Sequence, residues 1–428
     1  MQIERLTMTN FKGFIECSLN FDAEFNLLVG ENGAGKTSVL DALSVAAGSW
    51  LLGLRGYDTR HIRPSDVRLA ARRYDGEIRF EEQFPVEVRA AGCVAGRRIE
   101  WARRLNIPGG RTTFGDAAEI KSAASKADAA VREGHTTTLP LISYYGTGRL
   151  WMEPKDVKRE SSVKSPDRLE SQRKLSRLEG YRNSVDPRLS VRDIVEWIAR
   201  QSWASYQQGR DTPVFSAVKK AVLGCVDGAE DVYFDPSRGE VILDIRRQGA
   251  QPFVNLSDGQ RVIFGMVGDL AQKAAKLNPH LGDEALNLTP GVVFIDELDL
   301  HLHPKWQRRV VGDLRRTFPR IQFFATTHSP QIIGEVLPRQ VILLSRSTPP
   351  ETASESLGRD SGWILRHLMD ASDRTRDLAD ELKKAEALID SAEFEDARRL
   401  INLLRERYGS DPALVDMEAA IARWELER

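Results

Sequence analysis

Three cysteines in 428 residues, Cys17, Cys93 and Cys225, are too few and too widely spaced for a disulfide framework or a zinc site, and they read as reduced thiols of a cytoplasmic protein. Long apolar runs are missing too. No stretch approaches the roughly 20 residues that span a bilayer, which argues against a membrane-embedded chain. Residues 1–10 alternate polar and apolar like a strand, so no secretory or transit segment is expected there. Neither charge is in excess: 61 Lys and Arg stand against 62 Asp and Glu, for a net charge of −1. That balance excludes a protein that coats nucleic acid with its whole surface, although a local basic patch would vanish in the sum. What the chain does have is bulk, since 41% hydrophobic residues over this length can bury a large core divided into about two or three units.

The pattern begins with strands at residues 2–9, 16–21 and 25–29, the last running into Gly30 and a helix over 36–47. Alternation from 76 to 105 predicts antiparallel strands beside this βα unit. A helix with flexible flanks is expected in 112–138, and an apolar strand in 139–145. Residues 151–190 are crowded with charge and serine and read as an exposed, partly mobile insertion. Helices are expected over 191–206 and 214–226, strands over 231–234 and 240–245, and a long helix from Ser257. A buried strand 291–295, a helix after Pro304 and strands 321–325 and 340–344 complete an α/β half. Beyond 355 the spacing is amphipathic and helical to the end. The expected division is 1–150, 151–230, 231–345 and 346–428.

Gly30-Glu31-Asn32-Gly33-Ala34-Gly35-Lys36-Thr37 fits G-x-x-x-x-G-K-[ST] between an apolar strand and a helix, with Ser38 following. Glycines let backbone N–H groups wrap phosphates, the helix N-terminus adds positive potential, Lys36 reaches the β- and γ-phosphates and Thr37 ligates Mg²⁺. The strand 291–295 ends in Asp296-Glu297, where the first carboxylate would hold the metal and the second polarise attacking water. Ser257-Asp258-Gly259-Gln260 opens a long helix and also makes a capping box. His328 follows a strand and could touch a γ-phosphate. His301 and His303 lack a spaced acidic or Cys partner, so a turn with Pro304 at the first helical position is expected.

In this order the motifs resemble those of ABC-type ATPases. The resemblance implies that Ser257 and Gly259 meet the γ-phosphate held by the other protomer, with Gln260 beside them, that His328 is the switch histidine, and that Asp299 crosses the dimer interface. The opening Leu6-Thr7-Met8-Thr9-Asn10-Phe11-Lys12-Gly13-Phe14 and the run Asp296-Glu297 through Leu302-His303-Pro304 look like the RecF, OLD and SMC-related branch. Ser143-Tyr144-Tyr145-Gly146-Thr147-Gly148-Arg149 and the tail around Asp360, Trp363, Glu393 and Leu403 look like a narrower group, the ATPases of the Septu anti-phage system and its retron-associated relatives, which act with a separate HNH nuclease. The fold so implied is α/β, an ABC-type P-loop ATPase core with a mixed sheet, an antiparallel β subdomain, a helical insertion and a C-terminal helical tail. No glutamine stands where the active-site glutamine of many ABC ATPases would be, and residues 145–149 are the candidate for that region. The tail is short for an OLD-type nuclease domain, and 151–230 lacks the sustained heptads of an SMC coiled coil.

Three functions compete. The first is an ATPase using ATP and Mg²⁺ that closes as a homodimer or higher even-numbered oligomer and gates an HNH nuclease partner, with DNA or retron nucleic acid as a further candidate ligand. The second is a RecF-like ATPase binding DNA ends through Lys158, Arg159, Lys164, Arg173, Lys174 and Arg177, set against a solvated loop whose acidic residues interleave with these. The third, a transport subunit driving a membrane partner, fits the motifs least.

Overall fold

The structure, a computed structural model, describes residues 1–74, 77–149, 176–189 and 191–426. The chain opens with β1 (Gln2–Phe11) and β2 (Phe14–Asn20), a hairpin, and then β3 (Phe25–Val29), which feeds the phosphate loop and α1 (Lys36–Ala47). A second hairpin, β4 (Leu69–Tyr74) and β5 (Glu77–Glu82), precedes β6 (Val86–Val94) and β7 (Arg97–Leu105). Next come α2 (Ala118–Arg132) and β8 (Leu141–Tyr145). Helices Val191–Gln208 and Pro213–Cys225 lead to β9 (Ala229–Asp235), β10 (Glu240–Ile245) and β11 (Gly249–Pro252), and then to the long helix Asp258–Leu277. The strands β12 (Gly291–Ile295), β13 (Ile321–Thr326), β14 (Val341–Leu343) and β15 (Glu351–Thr352) follow, with helix Pro304–Thr317 between β12 and β13.

The central sheet has the order β15-β14-β3-β13-β12-β8, parallel except for its antiparallel edge strand β15. β3, β12 and β13 are buried at every position and mostly apolar rather than alternating, with Asn26, Gln322 and Thr326 as the buried polar exceptions. All five parallel strands present their C-terminal ends at one edge, and that edge receives the motifs. The second sheet, β2-β1-β6-β7, is antiparallel and alternates buried with half-exposed residues along β6. Trp101 of β7 donates its indole N–H to Ala46 O at 2.9 Å, fixing this sheet against α1.

Gln322 joins the two sheets. Its amide accepts from Ile3 N at 2.8 Å and donates to Ile3 O and Asp22 O, both at 2.8 Å, while only 2% of the residue is exposed. Gln322→Leu should therefore strand buried backbone groups, each costing about 1–3 kcal/mol, and lower the thermal midpoint by several degrees in a calorimetric scan. An unchanged midpoint would show that water replaces the amide.

Two compact units emerge, Met1–Arg359 and Asp360–Arg428. The helices expected over 191–206 and 214–226 belong to the first unit: Phe215, Val218 and Val222 are buried there, as are Ile194 and Ile198. Residues 151–175 of the expected insertion lie outside the described residues, and so do Lys158, Arg159, Lys164, Arg173 and Lys174. The following stretch is a correction to the exposed reading. A short 3-10 turn, Arg177–Tyr181, buries Leu178 and Tyr181, whose hydroxyl accepts from Trp50 Nε1 at 3.0 Å and donates to Pro140 O at 2.8 Å. Residues 346–359, assigned from sequence to the tail, instead pack into the first unit through β15 and through Ser356 Oγ, which donates to Val336 O at 2.6 Å. The second unit holds helices Ser361–Leu368, Arg376–Asp390, Phe394–Tyr408 and Pro412–Leu426. Leu382, Ala385 and Ile389 meet Ala397, Ile401 and Leu404 in its core at i, i+3, i+4 spacing, while Leu403 is 57% exposed. Among the described residues no helix is long and apolar enough to cross a membrane.

Candidate functional site

Residues 30–35 turn tightly between β3 and α1. A Cβ on Gly30 would stand 2.2 Å from Leu344 O at the end of β14, so only glycine lets the two backbones approach. Gly35, at φ 98°, occupies the left-handed region that glycine adopts without strain, and it caps α1. Asn32 and Gly33 are exposed, Ala34 is buried and Ser38 half-buried. The Lys36 ammonium donates to Gly30 O at 2.7 Å and Glu31 O at 3.0 Å, inside the loop it serves. Burial pulls this ammonium below its ordinary value, while Asp296, Glu297 and Asp299 pull the other way. With no acidic residue in the first turn of α1, the helix end keeps its positive potential for an anion.

Thr37 Oγ1 donates to Asp296 at 3.0 Å and 3.2 Å, bringing the end of β12 to the start of α1. Asp296 is 5% exposed and also accepts from Thr326 Oγ1 at 2.7 Å. Thr326 does more, for it accepts from Glu297 N at 2.7 Å through the same hydroxyl. Glu297 itself sits at φ 50°, a strained backbone for a residue with a Cβ.

Arg149 holds that strain in place, and sequence reasoning had marked only its segment. Its guanidinium, 1% exposed, donates to Asp296 O at 2.7 Å, Glu297 O at 2.8 Å and Gly146 O at 3.1 Å. Burial lowers its pKa to about 10, against the raising pull of Asp296, Glu297 and Asp299, so it stays charged at neutral pH. Residues 145–149 thus lie beside the two carboxylates, as the strand pair β8–β12 requires, with Asp296 N donating to Tyr145 O at 2.8 Å. The sequence reading also missed Arg346, whose Nε donates to Gly33 O at 3.0 Å; its guanidinium would meet a Cβ on Gly33 at 2.0 Å.

Asp299 accepts from Thr327 Oγ1 at 2.6 Å and from His328 N at 3.2 Å, so it ties the turn after β12 to the turn after β13. His328 is half-buried beside it. His301 and His303 form the expected turn: His303 caps helix Pro304–Thr317 and accepts from Lys305 N at 3.3 Å. Among the described residues no group of histidine, cysteine and carboxylate side chains is arranged to hold a metal by itself.

Ser257 and Gln260 form the capping box. Ser257 N donates to Gln260 Oε1 at 2.9 Å, and Gln260 N donates to Ser257 Oγ at 3.3 Å. A Cβ on Gly259 would lie 2.6 Å from His301 O and 3.0 Å from the Trp306 ring, which explains glycine there by close packing. No hydrogen bond or ion pair among the described residues joins Ser257, Gly259 or Gln260 to residues 30–38. Among the described residues, hydrogen bonds therefore sort the site residues into two groups. One contains the phosphate loop, Asp296, Glu297, Asp299 and His328; the other contains the start of helix Asp258–Leu277.

Comparison with known proteins agrees with this core. Residues 25–334 match the family described as "AAA domain, putative AbiEii toxin, Type IV TA system", and residues 1–48 match "AAA ATPase domain". The "Retron Ec83 probable ATPase" of Escherichia coli is 30% identical over 215 residues, 49% of this chain and 39% of that protein. The "Retron Vc95 probable ATPase" of Vibrio cholerae serotype O1 biovar El Tor is 21% identical, over 93% of this chain and 85% of that one. Septu protein PtuA of Bacillus mycoides (strain KBAB4) is 26% identical over 86% of this chain but 44% of its own length. The chain thus spans about two-fifths of the Ec83 and Septu proteins it matches. Among solved structures, an SMC head bound to the C-winged helix domain of ScpA superposes with a TM-score of 0.47 at 16% identity, covering 83% of this chain and 99% of that one. The family match extends over most of the first compact unit, from β3 to just beyond β13, and the protein belongs to this family of AAA-domain ATPases.

Proposed function

We propose that the protein binds and hydrolyses ATP at two composite sites formed by a head-to-tail pair of protomers, and that this cycle gates a partner HNH nuclease in anti-phage defence. The observation that carries the reading is the division of the site. Lys36, Thr37, Asp296 and Glu297 converge at one sheet edge, whereas Ser257 and Gly259, the motif expected at a γ-phosphate, make no bond to that loop. A second protomer supplies the missing half most economically. Similarity to retron ATPases and a Septu protein supports the defence context; the separate nuclease is what the resemblance of the motifs implies.

Thr37 and Asp296 place oxygen donors side by side, the donor type Mg²⁺ selects, so these residues would hold the ion, which neutralises charge on the β- and γ-phosphates. Lys36 exchanges its two carbonyl partners for phosphate oxygens, and the amides of residues 33–37 surround them. Glu297 accepts a proton from the attacking water, positioned by the backbone clamp of Arg149 and Thr326. His328, tied to Asp299 through its backbone N–H, would sense loss of the γ-phosphate. Closing and reopening of the pair is the two-state element that a docked nuclease reads.

The test is light scattering on protein co-expressed with the gene beside its own, with and without ATP and Mg²⁺. An even-numbered assembly that retains an HNH protein is the expected result. A chain that stays alone and pairs only when DNA is added would replace this reading with DNA-end repair.

A further inference from the structure

The β4–β5 hairpin is out of keeping with the rest of the first unit. All of β5 and all of β4 except the half-buried Ala70 are exposed. Its base is anchored, since Lys12 N donates to Asp66 O, Arg68 N to Asn10 O and Gln83 N to Arg68 O. Beyond that anchor two strands stand in solvent, a form that is marginally stable in water without a covering surface.

The register sorts its side chains. Leu69 pairs with Glu82, Ala71 with Phe80 and Arg73 with Ile78, so these six share one face. On that face Leu69 is 55% exposed, Ile78 54% and Phe80 65%, which groups three large apolar side chains on one exposed ribbon face. The opposite face carries Ala70, Arg72, Tyr74, Glu77, Arg79 and Glu81, with Arg79 3.5 Å from Glu77.

We infer that this apolar face binds a second copy of the same chain, through a contact separate from the nucleotide sites. The charges identify the occupant. Arg73 lies at the tip end of the face and Glu82 at the base end, and neither forms an ion pair among the described residues. A two-fold axis across the ribbon, perpendicular to the strands, sets Phe80 on the partner's Phe80 and brings Arg73 beside the partner's Glu82, twice by symmetry. A face that complements itself in both charge and apolar position is what an isologous contact needs. Nucleic acid fits poorly, because the three arginines of the two strands are balanced by three glutamates. The face is small, at the low end of specific interfaces, so association is weak and concentration-dependent.

Sedimentation velocity on the nucleotide-free full-length protein over a concentration series tests this without relying on the ATP-driven pair. Wild type should show a monomer–dimer equilibrium that Phe80→Glu abolishes. Arg73→Glu and Glu82→Arg should each weaken it by about tenfold, and the double reversal should restore it. Restoration by the double reversal excludes mere misfolding of the ribbon. A wild type that is monomeric at every concentration overturns the inference. A double variant no tighter than the single variants overturns it too, as does Phe80-dependent capture of a different protein by a monomeric chain.

Discussion

Glu297→Gln should lower the steady-state rate of phosphate release by about 10²- to 10⁴-fold, the range that loss of a general base gives, while ATP still binds. The substitution keeps the size and the strained backbone position of Glu297, at φ 50°, and removes only the capacity to take a proton. Asp296, Thr37 and Lys36 stay paired as they are, so nucleotide affinity should be little altered. With opening blocked, the ATP-bound pair should accumulate. The two readouts are steady-state phosphate release and light scattering in ATP with Mg²⁺. Hydrolysis at the wild-type rate would move the base to another residue and remove the main chemical argument made above.

Arg149→Gln is expected to show a different pattern, a fall in kcat of about 10²-fold with KM close to wild type, because misplacing a reacting group by about 1 Å costs that much. The guanidinium touches main-chain carbonyls of Asp296, Glu297 and Gly146 rather than the side chains that would meet substrate. It is a positioning residue. Its loss also leaves buried carbonyls without donors, at about 1–3 kcal/mol each, so the thermal midpoint should drop in parallel. Arg149→Lys separates the two effects. One ammonium can satisfy some of these carbonyls, so stability should recover more than kcat does, because the planar fork that fixes Glu297 is not reproduced. Equal loss of kcat and nucleotide affinity would instead mean that the phosphate loop itself collapses.

The parts of this molecule legible in the sequence are those in which pattern and burial coincide. Residues 291–295 are an unbroken apolar run and residues 25–29 one interrupted only by Asn26; both are flanked by motif residues, and both are strands buried at every position. Residues 30–37 and 296–297 could be read because each motif demands its neighbours, strand before and helix or strand end after. The hidden parts have short or mixed signals. β4 carries Arg-Arg-Tyr and has no buried face, so nothing in its composition announces a strand. Arg177–Tyr181 sits in a charged stretch, and a single 3-10 turn is too brief to show a period, although it buries Leu178 and Tyr181. Arg149 and Arg346 reach the site from strand ends distant in sequence and touch backbone, for which no residue pattern exists. The boundary at Arg359 depends on a two-residue strand, β15, that no periodicity could reveal.

The self-capped lysine has a consequence for how the nucleotide arrives. Gly30 O and Glu31 O accept from Lys36 Nζ, so the loop's own backbone offers the ammonium acceptors that a phosphate must replace. Capture is then an exchange of acceptors on a rigid cradle, carbonyl for phosphate oxygen. Little chain entropy is lost, so encounter can be fast, and the discrimination between tri- and diphosphate falls on the departure rate, set by how many phosphate oxygens hold the ammonium against its return to the two carbonyls.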